Sequence, residues 1–237
     1  MTSRRPPPVS LTRQHLESGF TRRLWNEHGG NVRPCSEEEL DASLACMLDG
    51  VPPGEDVWVF GYGSLMWNPL FHYAERRAAT LRGFHRSFCL RSIVGRGTPE
   101  RPGLMLALDV GGTCRGLAYR IPSDAAPEEL KLLWRREMLV GSYIARWTRV
   151  EAKPSAESHG CAEELRALTF VVNHENPNYL GRLPFEEVAA MLATAEGRIG
   201  SGAEYLFRTS DALAAHGLRD GYVERLRERV AHHRRAG

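Results

Sequence analysis

Apolar positions fall into three regimes along the chain. After a polar opening, Leu40, Leu44, Met47 and Leu48 recur at helical spacing. Ser36 stands before them as an N-cap, with Glu39 three residues on as in a capping box, and Gly50 with Pro52-Pro53 ends the helix. Leu11 to Trp25 predicts one weak helix upstream. The middle is rich in strands: Val57 to Phe60, then Ala79 to Val94 as one long strand bent at Gly83. Gly103 to Asp109 and Arg115 to Ile121 read as a hairpin about Gly111-Gly112, and Tyr143 to Val150 and Leu165 to His174 add two strands. Most connections are too short for crossover helices, which favours an antiparallel sheet or a small barrel.

One helix interrupts the strands. Ser123-Asp124 can cap it, Pro127 and Glu128-Glu129 suit its first turn, and Gly141 closes it. The last third predicts helices at Pro184 to Ala195, Ala203 to His216 and Tyr222 to Val230. The expected class is α+β, with an N-terminal tail and helical extension over residues 1–55 and one domain with C-terminal helices over 56–237.

Composition narrows the function classes. The chain has 237 residues, a net charge of +2 and 25% charged residues, so the strong basic field of a non-specific nucleic-acid binder is absent. Arg4 and Arg5 precede three prolines in Met1 to Pro8, which reads as a disordered tail. Arg225 to Arg235 is basic but interleaved with Glu228, and reads as a solvated helix face and frayed tail. Five cysteines, without CxxC spacing, argue against a disulfide framework or zinc site. The first 30 residues carry no apolar run, and no stretch approaches the ~18 apolar residues of a membrane span. A cytoplasmic protein with no metal and no membrane or nucleic-acid partner is expected.

Two local features carry chemistry. Val57 to Phe60 runs into Gly61-Tyr62-Gly63-Ser64, a strand stopped by a turn with two glycines. Glycine tolerates φ > 0 and close backbone approach, and amides in such a turn can hold an anion or an oxyanion. Met66 occupies the third glycine position of a dinucleotide fingerprint, and Tyr62 breaks the frame of a nucleophile elbow around Ser64. The second feature is Glu137, which falls on the apolar stripe of Leu130, Leu133 and Trp134, while Lys131, Arg135 and Arg136 take other faces. Burial raises a carboxyl pKa toward the range useful for acid–base work. A buried ion pair with an arginine, or a stripe ending at a pocket rim, accounts for the same spacing.

Together these residues resemble a known family. Phe60-Gly-Tyr-Gly-Ser-Leu-Met-Trp-Asn-Pro69 is similar to the signature loop of the ChaC-type γ-glutamylcyclotransferases. Arg82-Gly-Phe to Arg86, Arg91-Ser92 and Arg96 to Leu104 resemble its next block. Trp134 to Met138 resembles its catalytic-glutamate block, and Asn176-Pro-Asn-Tyr179 a later one. The stretch Ser142 to Trp147 is similar to the bacterial-type branch. The resemblance implies a small mixed β-barrel with flanking helices, the γ-glutamylcyclotransferase-like fold, and no cofactor. It implies glutathione as substrate, cyclised to 5-oxoproline with release of cysteinylglycine. Glu137 would be the acid/base, and the loop Gly61, Tyr62, Gly63, Ser64, Leu65 and Met66 would hold the γ-glutamyl group. Arg91, Arg96 and Arg101 are candidates for the substrate carboxylate, and Tyr143 and Tyr179 for pocket hydroxyls. Open alternatives are a cyclotransferase of another γ-glutamyl amine or amino acid, and a non-catalytic γ-glutamyl-binding module.

Overall fold

The computed structural model describes residues 8–29, 32–154 and 161–236. Of the tail expected at Met1 to Pro8, only Pro8 lies within the described residues. The polar segment that follows forms two helices, α1 (Arg13–Glu17) and α2 (Phe20–His28), where the sequence suggested one. Gly19 between them takes φ 69°, a left-handed conformation that breaks the helix and suits glycine. Helix α3 (Glu37–Leu48) begins as its capping box predicts. Ser36 Oγ accepts from the Glu39 amide, and the Glu39 carboxylate accepts from the Ser36 amide.

Strand β1 (Val57–Gly61) leads into a single 3₁₀ turn at Ser64–Met66. Then follow β2 (Glu75–Ser92), β3 (Gly103–Ile121), helix α4 (Ala126–Glu137), β4 (Tyr143–Ala152) and β5 (Glu163–Val172). The strands close into a barrel in the order β1-β3-β2-β4-β5, and a parallel pairing of β1 with β5 completes it. The other long pairings are antiparallel, so the barrel is mixed.

The hairpin expected at Gly111-Gly112 is absent. β3 runs through both glycines and pairs with β2 on either side of them. Gly111 (φ 102°) and Gly112 (φ 74°) face the register shift at Gly83 (φ 83°), so the three glycines bend a continuous ribbon. The start of α4 also differs from expectation. The amides of Ala125 and Ala126 donate to the Pro122 carbonyl, while the Ser123 amide donates to Asp56 Oδ1 at 2.9 Å. Ser123 and Asp124 therefore do not cap it; Ala125 holds the cap position.

The hydrophobic core on the two faces of the barrel sheet includes Val59, Phe60, Leu81, Leu117, Tyr119 and Phe170, all fully buried. Trp134 of α4 meets Phe170 edge-on at 5.6 Å, which plugs the helix against the barrel. Helices α5 (Phe185–Thr194), α6 (Gly202–Ala215) and α7 (Gly221–Ala236) pack outside, with a two-residue ribbon of β6 (Glu196–Gly197) and β7 (Gly200–Ser201) between α5 and α6. The basic C-terminus does not fray where expected: α7 stays helical to Ala236 and buries Val223, Leu226 and Val230. Cys89 and Cys114 are buried, and the five cysteines are all unpaired. No helix among the described residues is long and apolar enough to cross a membrane.

Candidate active site

Gly61 and Gly63 are required by crowding rather than by left-handed backbone, since neither takes a positive φ. A Cβ on Gly61 would lie 2.9 Å from Leu65 Cβ, and one on Gly63 would lie 2.8 Å from the Tyr205 hydroxyl. Within the turn, the amides of Met66, Trp67 and Asn68 donate to the Gly63 or Ser64 carbonyl. Those of Ser64 and Leu65 have no protein acceptor among the described residues.

Two buried arginines hold the turn from opposite sides. Arg86 of β2 donates from Nε to the Tyr62 carbonyl at 2.6 Å and pairs with Asp220 at 2.8 Å. Arg136 of α4 donates to Ser64 Oγ at 2.8 Å and to the Asn68 carbonyl at 2.5 Å. The sequence placed Arg136 on a face of α4 other than the apolar stripe, and its side chain is only 8% exposed. At the last turn of a helix, a long side chain can fold back over the helix end.

Glu137, the last residue of α4, sits where the stripe of Leu130, Leu133 and Trp134 meets a cavity. Its side chain is 11% exposed, and Oε1 lies 3.0 Å from Arg136 Nε. Burial pushes its carboxyl pKa above the ordinary value, and the Arg136 charge offsets only part of that. Three tyrosines around it, Tyr62, Tyr143 and Tyr205, are held neutral by burial, with the Glu137 charge adding to the upward shift. Tyr62 and Tyr143 donate their hydroxyls to the Phe170 and Leu106 carbonyls, each at 2.8 Å.

The cavity is about 180 Å³, and Ser64, Arg91, Arg96, Arg136, Glu137 and Tyr143 are among its walls. Of the loop residues singled out from sequence, only Ser64 lines it. Gly61, Tyr62, Gly63, Leu65 and Met66 set the shape of the turn beneath it; Leu65 O accepts from the Tyr119 hydroxyl at 2.8 Å.

The three candidate arginines separate clearly. Arg96 is buried and pairs with Glu204 at 3.0 Å. Arg101 lies in an exposed loop away from the cavity. Arg91 reaches the cavity with no carboxylate or carbonyl on its guanidinium among the described residues, and its Nε is buried without a partner. Tyr179 is also outside the cavity, bonded to Asp109 at 3.3 Å and stacked edge-on with His174.

A wider groove of about 880 Å³ lies between the bent part of β2–β3 and the start of α7. Its two carboxylates are already committed, Asp109 to His174 at 2.9 Å and Asp220 to Arg86. Its imidazole, His85, is exposed and lies 3.1 Å from the Gly111 carbonyl, so the smaller cavity, which holds the buried carboxyl Glu137, is the candidate site.

Residues 57–233 match the family model described as ChaC-like protein. The chain belongs to the ChaC-like family. It is 40% identical over 185 residues to the glutathione-specific gamma-glutamylcyclotransferase of Escherichia coli K12, covering 78% of this chain and 77% of that one. The glutathione-specific gamma-glutamylcyclotransferase 1 of Homo sapiens is 31% identical over 77% of this chain and 80% of its own. A crystal structure of a yeast gamma-glutamyl cyclotransferase specific to glutathione superposes with a TM-score of 0.69 at 25% identity, covering 77% of this chain and 98% of that chain.

In this ChaC-like chain the sequence reading missed three sets of cavity residues. Arg136 is adjacent to Glu137 in sequence but lies off its apolar stripe. Tyr205 lies on α6, far along the chain, and only its place among buried residues of that helix signals it. Ser10, Leu11, Thr21, Leu24 and Trp25, from before the barrel, also line the cavity, and no motif marks them.

Proposed function

We propose that this chain is a glutathione-specific γ-glutamylcyclotransferase, which cyclises the γ-glutamyl group of glutathione to 5-oxoproline and releases cysteinylglycine. The observation that carries the reading is one cavity shared by a buried carboxyl, Glu137, and a guanidinium, Arg91, whose buried Nε has no partner among the described residues. The relatives' names, with their glutathione specificity, support the same substrate.

The substrate's α-amine attacks its own γ-carbonyl carbon. A new carbon–nitrogen bond closes a five-membered lactam, and the bond to the cysteinyl nitrogen breaks. Because nucleophile and electrophile belong to one molecule, holding the folded conformer removes much of the barrier. Glu137 as carboxylate takes a proton from the α-ammonium group and returns it to the departing nitrogen; the second proton leaves the attacking nitrogen as the lactam forms, and cysteinylglycine departs as an amine that takes it up. A raised pKa brings the carboxyl closer in proton affinity to the nitrogens it serves. Arg91 pairs with a substrate carboxylate through charge-assisted hydrogen bonds. The amides of Ser64 and Leu65, without a protein acceptor among the described residues, are donors available to an oxyanion or a second carboxylate. Tyr143 and Arg96 shape the walls, while Gly61, Tyr62, Gly63 and Met66 hold the turn. Residues 56–237 form the catalytic unit in this reading, and the reaction belongs to the cytoplasm, where unpaired cysteines stay reduced.

The test is incubation of the purified protein with glutathione and mass-spectrometric detection of 5-oxoproline and cysteinylglycine. Equimolar appearance of both is expected. Intact glutathione alongside cyclised γ-glutamyl-lysine would move the assignment to another γ-glutamyl amine.

A further inference from the structure

The segment before the barrel reaches the candidate site. Leu11, Thr21, Leu24 and Trp25 line the same cavity as Glu137. The family match begins only at residue 57. The yeast structure is covered over 98% of its length by 77% of this chain, so about a quarter of this chain has no counterpart there. The segment lies outside the stretch that the family model matches.

Its position is tied to the reacting groups. Asn68 Nδ2 donates to the Leu11 carbonyl at 3.0 Å. The Asn68 carbonyl in turn accepts from Arg136, whose Nε lies 3.0 Å from Glu137. Arg13 clamps the same segment to α4 through Glu129, with contacts of 2.5 and 3.1 Å to its two oxygens. The Cys35 amide donates to the Leu139 carbonyl at 2.7 Å just past α4.

The chemistry of this wall says which end of a substrate it meets. A γ-glutamyl head carries an ammonium and a carboxylate, and the charged groups that answer them, Glu137, Arg136 and Arg91, come from α4 and β2. The N-terminal segment brings to the cavity only apolar side chains and two hydroxyls, Ser10 and Thr21. The Trp25 indole N–H is already used, donating to the Val32 carbonyl at 2.8 Å, so its ring offers apolar surface alone. An uncharged wall suits the methylene and thiol of a cysteinyl leaving group. Resting on the cyclotransferase reading, we infer that α2, with the stretch before α1, supplies a specificity-determining wall, Leu24 and Thr21 contacting the leaving-group side of the substrate.

The experiment compares kcat/KM for glutathione with that for γ-glutamyl-alanine, whose leaving group is smaller. Wild type, Leu24→Ala and Thr21→Leu are measured side by side. Leu24→Ala removes apolar contact from the wall. Thr21→Leu crowds it at a half-buried helix position where leucine is a good helix former. Each variant lowers the glutathione to γ-glutamyl-alanine ratio about tenfold, the usual scale for a few methylenes in an apolar pocket. Thr21→Leu keeps the test decisive if Leu24→Ala does not fold. Equal losses on both substrates, or no loss on either, would make the segment a mere brace and overturn the inference while leaving the cyclotransferase reading intact. A wild type that cyclises neither substrate would overturn that reading and this one with it.

Discussion

Arg136 and Glu137 are neighbours in sequence that also pair in space, Nε to Oε1 at 3.0 Å, at the end of α4. The same guanidinium binds Ser64 Oγ at 2.8 Å, so one side chain couples the carboxyl to the glycine turn. The carboxyl is set by rigid elements on both sides, which is what proton transfer at a fixed atom requires.

Glu137→Gln keeps shape and removes the exchangeable proton. Release of 5-oxoproline from glutathione is expected to fall by about 10²–10⁴-fold, the usual share of an acid–base group. The melting temperature should not fall, because the substitution removes a buried charge and leaves an amide oxygen for Arg136. Turnover near the wild-type rate would show that Glu137 is not the base.

Burial raises the Glu137 pKa, so the ionised form becomes available only above the range of an exposed glutamate. The acid limb of the pH–rate profile is therefore displaced upward. Arg136 pulls this pKa down, so Arg136→Gln should move the limb higher still, read by kcat/KM against pH. Stability runs the other way. Between the ordinary value of 4.5 and the raised one, the native state binds more protons than the unfolded chain. Stability attributable to Glu137 is thus lost as pH rises through that window. The pH dependence of melting should flatten there in Glu137→Gln.

Gly63→Ala places a methyl 2.8 Å from the Tyr205 hydroxyl, which is closer than such atoms pack. Loss of turnover and a lowered melting temperature are expected, on the order of 1–3 kcal/mol for an overpacked site. Tyr205→Phe in the same chain removes the clashing oxygen and should recover part of the stability. Failure of that rescue in thermal melts would place the strain elsewhere in the turn.

Arg91→Ala and Arg96→Ala should fail in different ways. Arg91 Nε has no partner among the described residues, so loss of Arg91 raises KM for glutathione while the fold persists. Roughly 1.5–3 kcal/mol for a charged hydrogen bond corresponds to about 10–150-fold. Arg96 pairs with Glu204 and lies over the Trp67 and Tyr205 rings, so its loss appears first as a lower melting temperature. Steady-state kinetics beside calorimetry separates the two.

Arg13→Ala unclamps the N-terminal segment from Glu129, whose side chain is 6% exposed. Burial alone would raise that carboxyl's pKa, but Arg13 and the His72 amide overcome it and hold the pKa low. The contribution is present above about 4.5 and is lost as pH falls through the depressed value. A cost of about 1–3 kcal/mol at pH 7, shrinking in acid, is expected from denaturant titrations.

What could be read from sequence was what local periodicity decides. The Ser36–Glu39 capping box, the strand into Gly61 and the Glu137 stripe all express spacing within one or two turns of chain. Gly111-Gly112 misled because a tight turn and a bulge ask the same of glycine, and only pairing with distant β2 separates them. Arg91, Arg96 and Arg101 look alike in sequence, since what distinguishes them is a partner such as Glu204, over a hundred residues on. The N-terminal wall was invisible for a related reason. Its residues are ordinary apolar and hydroxyl side chains, given meaning only by the carboxyl they face.

Cys89 and Cys114 sit inside the molecule, and burial pushes both thiols up to about 11. At neutral pH the reactive thiolate is then about one part in 10⁴ of each. Disulfide exchange begins from that thiolate, so both sulfurs are nearly inert toward it. A protein whose proposed substrate is itself a thiol thus keeps two of its own sulfurs outside the redox chemistry of that substrate.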